Sequence, residues 1–416
     1  MNETLLAGGA QRSRVALHRH IERMLDERTD ANARFFAAEA ERLARLCHRM
    51  AERFARGGRL IAVGSTPAGR SDARHVAVEF VHPVIVGKRA LPAIGLTGEG
   101  GAPSEQLQLL ARPEDIVVAF DVEHDGGEAA RALELGSGRG CLTLAFAAAG
   151  AEYEFVPPST DADIRQELVE TLYHVLWELV HVFFEHRGLL AQRDARPVHD
   201  VGGAGFLYPF LGERETQLEP VVEDVRRSVL MKSQEIAALR AQTLLENEDA
   251  LTAAARALAA SFHGGGKLLA LGNGGSSTDV MDVVADVRSP RKRRRRRPAI
   301  DLTEDTAILT AIANDIGPDA IFSRQVIAYG HRGDVLLALS TSGNSGNVIE
   351  ALAEARRRGL ETIAMVGYDG GRVASQSLAD HVIVTRSEHI PRIQEAQASA
   401  YHALLELIDA VDAVDA

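Results

Sequence analysis

Short apolar runs, each closed by glycine, alternate with stretches of helical periodicity through most of the chain. Leu60–Val63, the PEDIVVAF segment at Pro113–Phe120, Leu268–Leu271 and Val335–Leu339 are near-continuous hydrophobic runs. That pattern predicts strands of a parallel sheet covered on both faces, because an alternating pattern would mark a sheet with one wet face. Residues about 13–56 and about 214–262 repeat apolar positions at helical spacing, and Gly57-Gly58 ends the first of these helices. Strand, glycine turn and helix recur in that order, so an α/β class with parallel central sheets is expected.

The pattern also repeats on a larger scale. LPAIGLT at Leu91–Thr97 echoes RPAIDLT at Arg297–Thr303, and PEDIVVAF echoes RGDVLLAL at Arg332–Leu339. Near the end of each half, Gln is followed at once by Glu and, eight residues after the Gln, by His: Gln166, Glu167, His174 and Gln394, Glu395, His402. A period of this size is a duplicated domain and not a solenoid unit. Two domains are expected, at 1–187 and 214–416, joined by an aperiodic linker at 188–213 in which Phe206, Tyr208 and Phe210 supply some packing.

Two turns carry the candidate chemistry. In LLALGNGGSSTDVMDVVAD, Gly272, Gly274 and Gly275 let the backbone approach a ligand, and Ser276 and Ser277 fall at a helix start. Free N–H groups, the positive end of the helix dipole and hydroxyls converge there on an anion. The second turn, Ser340, Thr341, Ser342, Asn344 and Ser345, precedes a helix starting near Val348. The lysine of a P-loop and the third glycine of a dinucleotide fingerprint are both missing, so a phosphorylated small molecule is favoured over ATP or NAD.

Composition narrows the setting. With 416 residues, 46% of them hydrophobic, the chain can bury large cores. A net charge of −12 argues against a general nucleic-acid binder. Two cysteines, Cys47 and Cys141, imply no disulfide framework, and no 18-residue apolar run occurs, so a cytoplasmic protein without a membrane span is expected. The run Arg291–Arg297 is expected as a solvated loop or partner-binding edge, ahead of a phosphate clamp or a nucleic-acid patch.

GNGGSS with Asp279, LTEDTAILTAIANDIG, DVLLALSTSGNSGNVIEA, VGYDGG and RIQE, in that order and spacing over about residues 225–412, resemble the phosphoheptose isomerase branch of the sugar isomerase (SIS) domain family. The resemblance implies two tandem SIS-type three-layer α/β/α sandwiches with parallel central sheets, each preceded by long N-terminal helices. It also implies a sugar-phosphate isomerase that interconverts a heptose phosphate such as sedoheptulose 7-phosphate and its aldose. The alternative it leaves open is a non-catalytic phosphosugar-binding or assembly protein. A bound divalent metal, zinc by family habit, and a homodimer forming a pseudo-tetramer are implied as well.

Carried over residue by residue, the resemblance divides the roles between the halves. Metal ligands are implied at His75, Glu79, Gln166 and His174, with Glu79 and His174 as acid/base groups. In the second half Asp282 and Asp286 stand where His and Glu are usual, leaving Asp286 and His402 as the catalytic candidates. Substrate contacts are implied at Asn273, Gly274, Ser276, Asp305, Ser340, Thr341, Ser342, Ser345 and Gln394. The oxygen-rich set of Asp282, Asp286 and Gln394 favours Mg²⁺ or Mn²⁺ if that half binds metal. The first-half loops carry Asp121, Glu123 and Asp125, which repel a phosphate. Because Gln and His eight apart lie about 12 Å apart along a helix, Gln166 is expected to serve one site with His402, and Gln394 another with His174.

Overall fold

The computed structural model describes residues 2–85, 88–122, 127–186, 189–190 and 217–415, with the side chains of 2–14 and 414–415 excluded. The predicted linker at 188–213, and Glu123 and Asp125, fall outside or almost wholly outside these residues. Helix α1 (Asn2–Ala55) leads into β1 (Leu60–Val63), α2 (Pro67–Val81), β2 (Ala93–Leu96), α3 (Pro103–Leu110), β3 (Ile116–Ala119), α4 (Glu128–Gly138), β4 (Leu142–Ala145), β5 (Tyr153–Glu154) and α5 (Ala162–Glu185). The series restarts with α6 (Leu218–Glu246), α7 (Glu248–His263), β6 (Leu268–Gly272), α8 (Gly275–Arg288), β7 (Ala299–Asp301) and α9 (Thr306–Asp315). It closes with α10 (Ser323–Tyr329), β8 (Val335–Ser340), α11 (Gly346–Arg358), β9 (Glu361–Gly367), α12 (Gly371–Ser375), β10 (His381–Thr385) and α13 (Ile390–Asp415).

The strand orders are β2-β1-β3-β4-β5 and β7-β6-β8-β9-β10, and every pairing is parallel. The second order is the first with each strand replaced by its counterpart in the repeat. Duplication therefore accounts for topology as well as for sequence echoes.

Side chains of alternating strand residues point to opposite sheet faces, and the second sheet uses both. Leu268, Ala270, Leu337, Leu339, Ile363 and Met365 share one apolar cluster with α7, α8 and α13. Leu269, Leu271, Leu336, Ala338, Ala364 and Val366 share another with Phe322, Val326 and the Val348–Ala355 face of α11. That division gives three layers and explains why the strands carry no polar period. In the first sheet Ile61, Val63, Leu96 and Val117 pack with Leu107 and Ala132, while Leu60, Ala62, Ile116 and Val118 are buried on the opposite face.

The chain forms two compact units whose membership crosses the repeat. One comprises 31–161 and 165–235 and contains the first sheet; the other comprises 1–30, 162–164 and 236–416 and contains the second. Helices α1 and α6 thus each contribute to both. Leu17, Ile21 and Met24 of α1 belong to the apolar cluster of the second sheet, together with Leu244, Leu251 and Tyr401.

Candidate functional site

In the second sheet the chain leaves β6 toward β7 on one side and leaves β8 toward β9 on the other. The carboxyl ends of β6 and β8 therefore flank the point where strand order reverses, the usual ligand crevice of an open α/β sheet. Both Ser/Gly turns lie there. Gly272 is required where β6 meets α8, since a Cβ would come within 2.5 Å of the Ser276 carbonyl oxygen. Gly343, at φ +61°, holds the second turn against Gly370, whose carbonyl oxygen a Cβ would approach to 2.3 Å. Of the residues expected to touch substrate, Asn273, Gly274 and Ser276 sit on the first turn, and Ser340, Thr341, Ser342 and Ser345 on the second.

A pair of amides ties the turns together. Asn273 Nδ2 donates to Asn347 Oδ1 at 3.0 Å, and Asn347 Nδ2 returns a bond to Asn273 Oδ1 at 2.9 Å. The N-termini of α8 and α11 are thereby held side by side. Ser345 caps α11 with extended backbone, and its hydroxyl makes no capping bond. Ser340 Oγ accepts from Gly343 N, and Ser342 Oγ from Asn344 N. Ser277 Oγ instead donates to the Gly274 carbonyl at 2.6 Å, so that hydroxyl serves the turn itself. Asp305 caps α9, accepting from Ala307 N and Ile308 N through Oδ1. From α13, Gln397 Nε2 reaches the Ser340 carbonyl at 3.5 Å, and Gln394 is buried one turn earlier.

The matching turn of the first sheet is closed by a carboxylate. Thr66 caps α2, accepting from Gly69 N at 3.0 Å, and its Oγ1 donates to Asp121 Oδ2 at 2.6 Å. An acid where an anion would lie, with no serine cluster, is unsuited to phosphate.

Beneath the turns, α2 and α8 each present acids and a histidine-facing surface to the last helix of their repeat. In the first unit His174 Nε2 lies 3.3 Å from His75 Nε2, and His75 Nε2 lies 3.9 Å from Glu79 Oε1. Gln166 Nε2 donates at 3.3 Å both to Asp72 Oδ1 and to Glu170 Oε2. Donor atoms of His75, Glu170 and His174 all lie within 4.8 Å of one another, and all three residues are buried. Glu170 sits one turn after Gln166 and one turn before His174, so it bridges two residues that spacing alone assigned to separate sites. Gln166 and His174 thus both approach Glu170, and His402 meets Asp282.

Two imidazoles and a carboxylate suit a divalent ion of the zinc type. Gln166 Oε1, buried and receiving no hydrogen bond, is a further oxygen beside them. This donor set fits a metal.

The second unit differs. His402 Nε2 is 3.3 Å from Asp282 Oδ2, to which Tyr401 also donates at 3.1 Å. Between them lies Arg291: its Nη2 is 3.1 Å from Asp282 Oδ2 and 3.2 Å from His402 Nε2, while its backbone N and Nε bond Asp286 Oδ1 at 3.0 and 3.3 Å. Arg294 spans Asp286 Oδ2 and Asp163 Oδ2, both at 2.7 Å. Lys292 Nζ adds contacts to Asp163 and Glu406 at 2.8 and 2.9 Å. Burial pushes the Asp282 carboxyl up, but Arg291 and His402 outweigh it and hold it below the usual range. Asp163 is likewise held far down against its burial by His402, Arg294, Lys292 and Arg291. Asp279, buried beside the Asp282 charge, is raised well above an ordinary carboxyl. Asp282 Oδ2 and both oxygens of Asp286 are engaged by guanidinium groups, while Asp282 Oδ1 receives no hydrogen bond; with the Arg291 cation standing among these donors, the set does not fit a metal.

The basic run is accordingly turned half inward, in place of the solvated loop expected of it. Arg297 Nη2 bonds Asp409 and Asp412 of α13 at 2.9 and 3.0 Å, leaving Arg293, Arg295 and Arg296 exposed. The acids of α8, α13 and residue 163 supply the reason, since paired charges tolerate burial far better than single ones. Among the described residues, no helix is long and apolar enough to cross a membrane.

Residues 233–367 match the family model of the SIS domain. A phosphoheptose isomerase of Pelodictyon phaeoclathratiforme is 42% identical over 198 residues, covering 47% of this chain and 90% of the relative. That of Geobacter sulfurreducens is 47% identical over 156 residues, 37% of this chain and 82% of the relative. Among solved structures, tagatose-6-phosphate ketose/aldose isomerase from Escherichia coli matches with a TM-score of 0.56 at 12% identity, covering 94% of this chain and 93% of its own. The C-terminal domain of glucosamine-fructose-6-phosphate aminotransferase from Francisella tularensis gives 0.56 at 9% identity, covering 93% and 94%. Those two likenesses establish the fold, two SIS-type units.

Proposed function

Because the chain belongs to the SIS domain family, in its phosphoheptose isomerase branch, we propose that it is a sugar-phosphate isomerase acting on a heptose phosphate such as sedoheptulose 7-phosphate. The observation that carries this reading is the pair of helix N-termini at the β6/β8 switch point, latched by Asn273 and Asn347. Converging N–H groups and the hydroxyls of Ser340, Ser342 and Ser345 suit a phosphate dianion. Aldose–ketose exchange then needs a base at the carbon beside the carbonyl and an acid at the carbonyl oxygen. Asp286 and His402 are the pair for the second unit, and Glu79 and His174 their counterparts in the first. Arg291 Nη2 and Asp282 Oδ2 both lie within hydrogen-bond distance of His402 Nε2.

A divalent metal, zinc by its nitrogen and oxygen donors, belongs to the first unit, held by His75, Glu170 and His174 with Gln166 beside them and Glu79 near His75. A metal held there would supply Lewis acidity to an oxygen bound in that unit. The assembly is a homodimer forming a pseudo-tetramer; support comes from α9, whose Ile308 and Ile312 are only half-buried on a helix with no fully buried residue.

A second reading, a phosphosugar sensor without turnover, is favoured by the ion pairs that engage Asp282 and Asp286. Incubation with sedoheptulose 7-phosphate, with and without divalent metal, decides between them. Aldose formation supports the isomerase; thermal stabilisation by the sugar phosphate with no product supports the sensor.

A further inference from the structure

Among the described residues, four acids and four bases meet around Asp282 and Asp286. Asp163, Asp282, Asp286 and Glu406 face Arg28, Arg291, Lys292 and Arg294, with Arg28 Nη2 at 3.7 Å from Glu406 Oε1. The corresponding place in the first unit holds the metal-type cluster of His75, Glu170 and His174. The two units carry equivalent helices at this place and solve the same problem, concentrated carboxylate charge, in different ways.

We propose that the guanidinium of Arg291, wedged against Asp282, Asp286 and His402, takes the place of a divalent cation, making the phosphosugar site of the second unit metal-free. Three features carry this. Arg291 Nη2 sits 3.1 and 3.2 Å from Asp282 Oδ2 and His402 Nε2, atoms 3.3 Å apart that would otherwise share one ion. Arg291 is anchored at both ends, since its backbone N and its Nε bond the same Asp286 oxygen. The remaining Asp286 oxygen is taken by Arg294, itself fixed by Asp163. Expelling Arg291 would break several charge-assisted bonds at once, and each of these exceeds a neutral hydrogen bond in strength.

The counterpart of Glu170 makes the same point from the other helix. Gln166 aligns with Gln394 and His174 with His402, so Glu170 aligns with Ala398, which is fully buried and offers no ligand. The second unit has lost an anionic donor on α13 and gained a tethered cation on the loop after α8.

The inference rests on reading the second unit as the phosphosugar site, but its test does not require turnover. The full-length protein is stripped with a chelator, dialysed against Mn²⁺ or Zn²⁺, desalted, and its metal per chain counted by atomic emission. All metal retained by the wild type should disappear in the His75→Ala/His174→Ala variant, whereas Asp286→Asn should leave the count unchanged. Arg291→Ala should gain one equivalent that a further Asp286→Asn removes. A lower count in Asp286→Asn alone, or no gain in Arg291→Ala, overturns the proposal. If Arg291→Ala does not fold, the Asp286→Asn comparison still decides. Absence of isomerase turnover with this same metal pattern would refute the isomerase reading and leave the tethered cation standing.

Discussion

Replacing Asn347 by Ala removes both hydrogen bonds that bind the two phosphate turns to each other while leaving every hydroxyl in place. Each amide bond contributes about 0.5–1.5 kcal/mol net, and at this exposed position the lower part of that range applies. Losing both should cost about 1–2 kcal/mol, which is a factor of roughly 5–30 in an equilibrium constant. The loss should appear in ligand binding, because the ligand would then have to bring the ends of α8 and α11 into register. Calorimetric Kd values of the full chain for sedoheptulose 7-phosphate and for inorganic phosphate should both weaken by about that factor, with thermal stability of the free protein little changed. A double-mutant cycle sharpens the reasoning. If the amides act as a latch, Asn273→Ala/Asn347→Ala should bind no worse than either single variant. Additive losses would mean that each amide touches the ligand separately, and an unchanged Kd would remove the latch altogether.

Three other outcomes are expected. Burial pushes the Asp301 carboxyl up to about 6 from an ordinary 3.8, with Thr303 hydrogen bonds opposing the shift. The folded state therefore favours protonated Asp301, a contribution present below about pH 4 and lost as pH rises through 6; Asp301→Asn should be the more stable protein above pH 6, by at most about 3 kcal/mol, with the gap closing in acid. A pH-independent gap in chemical denaturation would contradict it. Glu170→Gln should lower metal retention by the first unit at least tenfold, the scale of losing a ligating charge, measured by competition with a chromogenic chelator; equal retention rules Glu170 out as a ligand. Ile308→Glu/Ile312→Glu should shift the protein toward monomer in light scattering without lowering its melting temperature, and an unchanged mass would show that α9 is no interface.

Much of the scaffold was legible from pattern alone. Leu268–Leu271 and Val335–Leu339 are apolar at every position because both sheet faces are covered, and glycine marks the turns that follow them. The phosphate turns were equally visible, since Ser and Gly gather there against an otherwise apolar background. Glu170 was not, because it lies in VETLYHVLWELV, where two acids among large apolar residues look like the wet edge of a helix; its spacing of four from both Gln166 and His174 was the available signal. The inward half of RKRRRRR was hidden for a different reason: a charged run has no hydrophobic period, and its partners Asp163 and Asp409 are remote in sequence. Asn347 escaped notice because a reciprocal amide pair has no local signature. The crossing membership of α1 was also illegible, as helical periodicity gives a face but not the sheet that receives it.

That crossing has a consequence for how the gene can be cut. A fragment beginning at residue 214 would keep the second sheet and the serine turns yet lack Leu17, Ile21 and Met24, which belong to its apolar cluster. Emptying a core of side chains this size costs about 2–5 kcal/mol apiece, comparable in sum with the roughly 5–15 kcal/mol that holds a domain together. Duplication made two modules, but each has since become a lodger in the other's polypeptide, and selection must now keep or lose them together.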